Sequence, residues 1–269
     1  MADVVLVVLR RPEMASALLH AAQRITNLMG GAQLSGLAVR EPIQVSALAA
    51  EALIEEAQSV LRARQQEHQR VAALRATFES WVRDTGTDAR WIEEEGSAHT
   101  IIGERGSRAD LIVAGRPPED DRLARQAFSA ALFGTDRPVL MVPSTDVHEF
   151  GHRVAIAWRD EKRAVRAVIP ALRWLSGAEQ VHVLMGVRDG AREVGVPRVL
   201  LEHGITPELH ALKIGSEPFG RTLLDAAHRL SADLLIMGAY AHSPLREIIL
   251  GGVTRYMLDH ADLPVLMRH

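Results

Sequence analysis

Cysteine is absent from this chain of 269 residues, which excludes disulfides, thiolate metal sites and thiol catalysis, and fits a reducing compartment. No stretch approaches the roughly 18–20 apolar residues needed to span a bilayer. The opening Met1-Ala-Asp-Val-Val-Leu-Val-Val-Leu-Arg-Arg puts a short apolar run behind an acidic residue, where a signal peptide has basic residues first and a longer apolar core. A first β-strand is expected there, in a soluble cytoplasmic protein. Nor is there an excess of one charge. Lys and Arg total 31 against 34 Asp and Glu, a net charge of -3, which argues against a broad electrostatic footprint for nucleic acid or an anionic membrane. A single loop can still bind a small anion.

What the chain does have is apolar material, 47% of its residues, and an internal repeat. Ala109-Asp-Leu-Ile-Val-Ala-Gly115 matches Ala232-Asp-Leu-Leu-Ile-Met-Gly238 at an offset of 123 residues, and Asp136-Arg-Pro-Val-Leu-Met-Val142 matches Asp262-Leu-Pro-Val-Leu-Met-Arg268 at 126. The loop and helix between these paired strands are therefore longer in the second copy, where ligand chemistry would sit. The openings, Val4–Leu9 and Val154–Trp158, are short continuous apolar runs of the kind seen in buried parallel strands.

The pattern predicts strand 3–9, helix 13–29, strand 33–39, helix 46–84, strand 88–94, helix 97–108, strand 111–115, helix 120–132 and strand 138–142. A linker over 143–152 separates this from strand 153–158, helix 161–175, strand 181–187, helix 190–203, strand 208–214, helix 217–230, strand 234–239, helix 252–261 and strand 264–268. Such alternation implies α/β units with parallel five-stranded sheets and helices on both faces, one in residues 1–145 and one in 152–269. In helix 46–84, Leu53, Ala57, Val60, Leu61, Val71, Leu74, Phe78, Trp81 and Val82 form an apolar stripe. That stripe predicts packing against the other half in preference to a partner-binding arm.

The chemistry concentrates in Met237–Tyr256, after a buried strand and before a helix, where open parallel sheets bind ligands. Gly238 permits a sharp turn. Gly251 and Gly252 let the backbone approach an anion, and the free amides near Val253 and Thr254 start a helix whose dipole favours phosphate. His242, Ser243 and Arg246 lie in the same loop, where exposed polarity competes with a role in neutralising phosphate. Tyr240 and Trp158 could border a nucleoside or simply pack.

This spacing resembles the Gly-x2-Gly-x9-Gly-(Ser/Thr) pattern of the universal stress protein family, whose loop holds the phosphates of ATP. By position the first glycine is Gly238, the second falls on Ala241, the third is Gly251 and the hydroxyl position falls on Gly252, with Thr254 two residues on as a substitute hydroxyl. The family's Asp at the end of the first strand corresponds to Arg159 in Ala157-Trp158-Arg159. Arg159 is expected to meet a phosphate or to pair with Asp160 or Glu161. The resemblance implies two Rossmann-like (flavodoxin-like, adenine-nucleotide-hydrolase-like) units forming an internal pseudo-dimer, with a homodimer also conceivable. The terminal Pro-Val-Leu-Met strands would be the meeting edges. It further implies ATP or a related adenine nucleotide, with Mg²⁺ accompanying it, in the second unit alone. In the first, Gly115-Arg-Pro-Pro118 has Pro118 where the pattern wants a glycine, and a proline lacks the N–H a phosphate needs.

His148-Glu-Phe-Gly-His152 matches a zinc-protease signature by letter, but Gly151, Pro143 and the strand at Arg153 deny it the helix that chemistry requires. The remaining histidines show no third metal ligand at a persuasive spacing. Ser35 and Ser243 lack a nucleophile-elbow context. The expectation is a non-enzymatic, regulatory or protective stress-response protein. The alternatives are an ATP-cleaving or nucleotidyl-transfer enzyme, and a ligand-free scaffold for dimerisation or partner binding through helix 46–84.

Overall fold

The computed structural model describes residues 3–42, 53–145, 147, 149–159, 161–188, 195–239 and 251–269. The first half runs β1 (Asp3–Val8), α1 (Pro12–Leu28), β2 (Ala32–Arg40), α2 (Leu53–Thr85), β3 (Ala89–Glu95), α3 (Ala98–Gly106), β4 (Leu111–Gly115), α4 (Arg122–Gly134) and β5 (Val139–Val142). The second runs β6 (Arg153–Trp158), α5 (Lys162–Val168), α6 (Leu172–Leu175), β7 (Gln180–Val187), α7 (Arg198–Leu201), β8 (Glu208–Lys213), α8 (Phe219–Arg229), β9 (Leu234–Gly238), α9 (Gly252–His260) and β10 (Val265–Arg268).

All ten strands belong to one sheet, in the order β3-β2-β1-β4-β5-β10-β9-β6-β7-β8. Within each half every pairing is parallel, as the continuous apolar runs demand. The halves meet through one antiparallel ladder, Val265 opposite Met141, Leu266 opposite Leu140 and Met267 opposite Val139. These six side chains are all within 1% of complete burial, so the junction is core, with no solvent seam. Helices cover both faces. One apolar layer carries residues of α1, α2, α5, α6 and α7, the other residues of α3, α4, α8 and α9, and each extends across both halves.

Three helices differ from the sequence expectation. Helix 161–175 is divided into α5, a 3-10 turn at Ile169–Ala171 and α6, because Pro170 has no N–H to give and its ring clashes with the preceding turn. Of helix 190–203, Arg198–Leu201 is the helical part among the described residues. Residues 195–197 are not, Pro197 sits at ψ 120°, and 189–194 lie outside the described residues. Helix 46–84 is present from Leu53, its first seven residues lying outside the described set, and among the described residues its main packing is on α1, β2 and β3 of its own half, where the other half was expected. Val71, Leu74, Phe78 and Trp81 are its buried stripe, each side chain contributing about 1.5–3 kcal/mol. Leu61, nearer the N-terminus, is 59% exposed. Gly86, at φ +65°, ends the helix by returning its amide to the Val82 carbonyl at 2.9 Å.

Arg70 docks α2 onto the sheet. Its guanidinium forms a fork with Glu67 at 2.8 and 2.6 Å and donates to the carbonyls of Arg10 and Val39, both at 2.7 Å. The linker is likewise held: Phe150 is fully buried and its carbonyl accepts from Arg24 Nε at 2.8 Å. No helix among the described residues is long and apolar enough to cross a membrane.

Candidate functional site

In each half the chain leaves the first strand to build outward on one side, then crosses to the other, so β1 lies between β2 and β4, and β6 between β7 and β9. At such a switch point the loops beyond the carboxyl ends of the strands diverge and leave a crevice. In the second half this crevice is a cavity of about 640 Å³. Ala157, Trp158 and Arg159 at the end of β6 line it, with Met237 and Gly238 at the end of β9, and Gly251, Gly252, Val253 and Thr254 where α9 begins. These nine of the eleven predicted site residues come together. Tyr240 and Ala241 lie outside the described residues, as do His242, Ser243, Arg246, Asp160 and His148.

Each of the nine sits in the cavity differently. Ala157 and Met237 are register partners across β6 and β9. Trp158 is only 7% exposed and belongs to the core layer, so its bulk closes the cavity from below. The Arg159 side chain is 74% exposed and pairs with Glu161 at 2.8 Å, placing a cation at the mouth. Gly238 is needed for close approach: a Cβ there would lie 3.3 Å from the carbonyl carbon and oxygen of Arg163, in the first turns of α5. Gly251 caps α9 with extended backbone, φ −61° and ψ 147°. Gly252, the first helical residue, faces open space, with nothing within 4 Å of where a Cβ would stand. Thr254 is completely buried beneath that turn, so it does not present itself at the surface as Gly252 does.

Sequence reasoning missed the opposite wall. Leu184, Met185, Gly186 and Arg188 come from the end of β7, Ile214 follows β8, and Phe219 and Leu223 belong to α8. Arg188 and Phe219 could have been found by applying the carboxyl-end rule to every strand, not only to those flanking the glycine loop. Among the described lining residues the charged groups are Arg159 and Arg188, with no carboxylate. An anion therefore meets favourable potential from Arg188 and from the positive end of α9, with Arg159 held at the mouth by Glu161.

Besides a crevice of about 30 Å³ lined by Met14, Leu18 and Phe128, the first half has a cavity of about 830 Å³ at the corresponding place, and its lining sets the carboxylates Glu41 and Glu67 beside Arg10 and Arg122. Its loop does other work: Arg116 donates to the carbonyl of Asp259 at 2.7 Å, and Arg125 pairs with the Asp259 carboxylate at 2.9 Å.

The family model described as the universal stress protein family matches residues 111–269, more than half of the chain. The chain belongs to the universal stress protein family. Among solved structures, a universal stress protein from Archaeoglobus fulgidus DSM 4304 is 16% identical and superposes with a TM-score of 0.66, over 99% of this chain and 96% of its own. A functionally unknown protein from Pseudomonas aeruginosa PAO1 is 17% identical, with a TM-score of 0.59, over 99% of this chain and 92% of its own. A universal stress protein in complex with cAMP is 18% identical, with a TM-score of 0.32, over 54% of this chain and 99% of its own. No curated protein matches this chain in sequence. The two whole-chain likenesses show that the tandem fold of this universal stress protein recurs from end to end.

Proposed function

We propose that this universal stress protein is a cytoplasmic, nucleotide-responsive regulatory or protective protein that holds an adenine nucleotide in its second half and does not turn it over. The observation that carries this reading is the start of α9: Gly252 faces open space beside a cavity of about 640 Å³ whose described charged lining residues are arginines, while the first half's cavity of about 830 Å³ is lined by the carboxylates Glu41 and Glu67. The larger volume lies within the range of roughly 300–1,000 Å³ usual for small-molecule sites. Its lining joins apolar side chains, Leu184, Met185, Ile214 and Phe219, to two arginines and a helix start, an amphiphilic surface suited to a base and its phosphates. Amides at the start of α9 and the guanidinium of Arg188 would hold the phosphates, and Phe219 and Ile214 would cover the base.

With no carboxylate, histidine or lysine among the described lining residues, an accompanying Mg²⁺ would be ligated by phosphate and water. The same lack of a general base or metal-holding side chain favours a binding protein over an ATP-cleaving enzyme.

Calorimetric titration with ATP, ADP and AMP, alongside a phosphate-release assay, tests both parts. Binding without release is expected, lost in Gly251→Val, about tenfold weaker in Arg188→Ala, and intact in Gly115→Val. No binding at millimolar nucleotide overturns the reading, and stoichiometric phosphate release over many cycles overturns its non-catalytic part.

A further inference from the structure

Far from the nucleotide cavity, near the amino ends of β7 and β8, three side chains converge that sequence spacing does not connect. His182 and Glu208 are register partners, and His210 follows two residues later on the same face of β8, the edge strand of the sheet. His182 Nδ1 lies 3.1 Å from His210 Nε2 and 3.5 Å from a Glu208 carboxylate oxygen, which is itself 3.8 Å from His210 Nε2. From this geometry we propose that His182, Glu208 and His210 form a three-ligand site for a zinc-like divalent cation.

The distances favour an ion over a plain hydrogen-bonded pair. A tetrahedral zinc with bonds of about 2.0–2.2 Å keeps its ligand atoms about 3.3–3.6 Å apart, the spacing these three atoms bracket. Two imidazoles and one carboxylate suit zinc and its transition-metal neighbours and disfavour the hard cations Mg²⁺ and Ca²⁺. The His182 side chain is 3% exposed, and its Nε2 is buried with no hydrogen-bond partner. Coordination at Nδ1 gives the buried ring a strong partner and fixes the proton on Nε2. Glu208 and His210 have side chains 65% and 28% exposed, so a cation enters from the edge and keeps a fourth position for water. Arg153, opposite Gln180 on β6, opposes a cation at His182, and the Glu208 carboxylate offsets it.

The test uses the full chain, free of any affinity tag and stripped with chelator, titrated with ZnCl₂ at neutral pH and followed by calorimetry. One site per chain is expected, weakened at least tenfold in His210→Ala and in Glu208→Gln, two exposed-side changes that spare the buried ring. His228→Ala, which removes the separate histidine pairing with Asp262, leaves that site unchanged. Co²⁺ substituted for zinc should give the intense visible bands of four-coordinate cobalt in the wild type and lose them in His210→Ala. Equal zinc binding by wild type and both variants, or no stoichiometric site in the wild type, overturns the proposal.

Discussion

Arg116 and Asp259 join the two halves of the chain. Arg116 follows β4 in the first half, yet its guanidinium donates to the Asp259 carbonyl at 2.7 Å, near the C-terminal end of α9, whose other end lines the second half's cavity. A cation there satisfies an orphan carbonyl and complements the negative end of the helix. Arg116→Ala is expected to cost about 2 kcal/mol of stability and to weaken nucleotide binding severalfold without touching the cavity. Urea unfolding and calorimetry on the same variant measure both effects; unchanged values in each would show that α9 does not depend on the contact.

The repeated Ala-Asp-Leu segments predict a graded effect. Asp233 accepts the amides of Gly151, His152 and Arg153 at 2.8, 3.0 and 3.1 Å, while Asp110 accepts only that of Val4 at 2.8 Å. Asp233→Ala should therefore destabilise by about 3 kcal/mol and Asp110→Ala by about 1 kcal/mol, read as shifts in urea midpoint at constant slope.

Glycine substitutions separate the two loops. A methyl at Gly238 meets Arg163 backbone at 3.3 Å, whereas at Gly115 its nearest neighbour is the flexible Met14 Cε at 3.7 Å. Gly238→Ala is expected to lose about 1–2 kcal/mol and Gly115→Ala less than half as much. Gly252→Ser, which faces open space, should leave the thermal midpoint unchanged and tighten nucleotide binding by adding a hydroxyl at the helix start.

The continuous sheet and its two apolar layers predict one cooperative unfolding transition. Trp81 and Trp91 report on the first half, Trp158 and Trp174 on the second. Replacing either pair by phenylalanine leaves a half-specific fluorescence signal, and the two midpoints should coincide. Midpoints separated by more than their error would mean that the β5–β10 ladder does not couple the halves.

Glu67 supplies a pH dependence. Burial alone would raise its pKa, but the hydrogen bond and charge of Arg70, the Glu41 amide and Arg10 together hold it below the usual carboxylate value. A folded-state pKa lower than the unfolded one contributes stability above the unfolded pKa, lost as pH falls through the folded value. The stability gap between wild type and Glu67→Gln should thus be largest near neutrality and close progressively below about pH 4.5.

Local chemistry decided what the sequence alone could determine. Strand and helix alternation and the two matched strand pairs follow from periodicity, which acts over a few residues, and they placed nine of the eleven predicted site residues around one cavity. Proline was legible but under-read at Pro170, where its missing N–H interrupts the helix the apolar pattern continued, and at Pro197, which stands before α7 as its cap. Tertiary packing decided the rest. It set α2 on its own half, where Arg70 reaches the carbonyls of Arg10 and Val39, and it brought Glu41 and Glu67 to the lining of one cavity and Arg159 and Arg188 to that of the other. The histidine–glutamate cluster is the sharpest case: His182 and Glu208 stand 26 positions apart in the chain, and only the parallel register of β7 and β8 makes them neighbours. Register is a property of paired strands, set by which faces bury together, and no spacing along one strand encodes it.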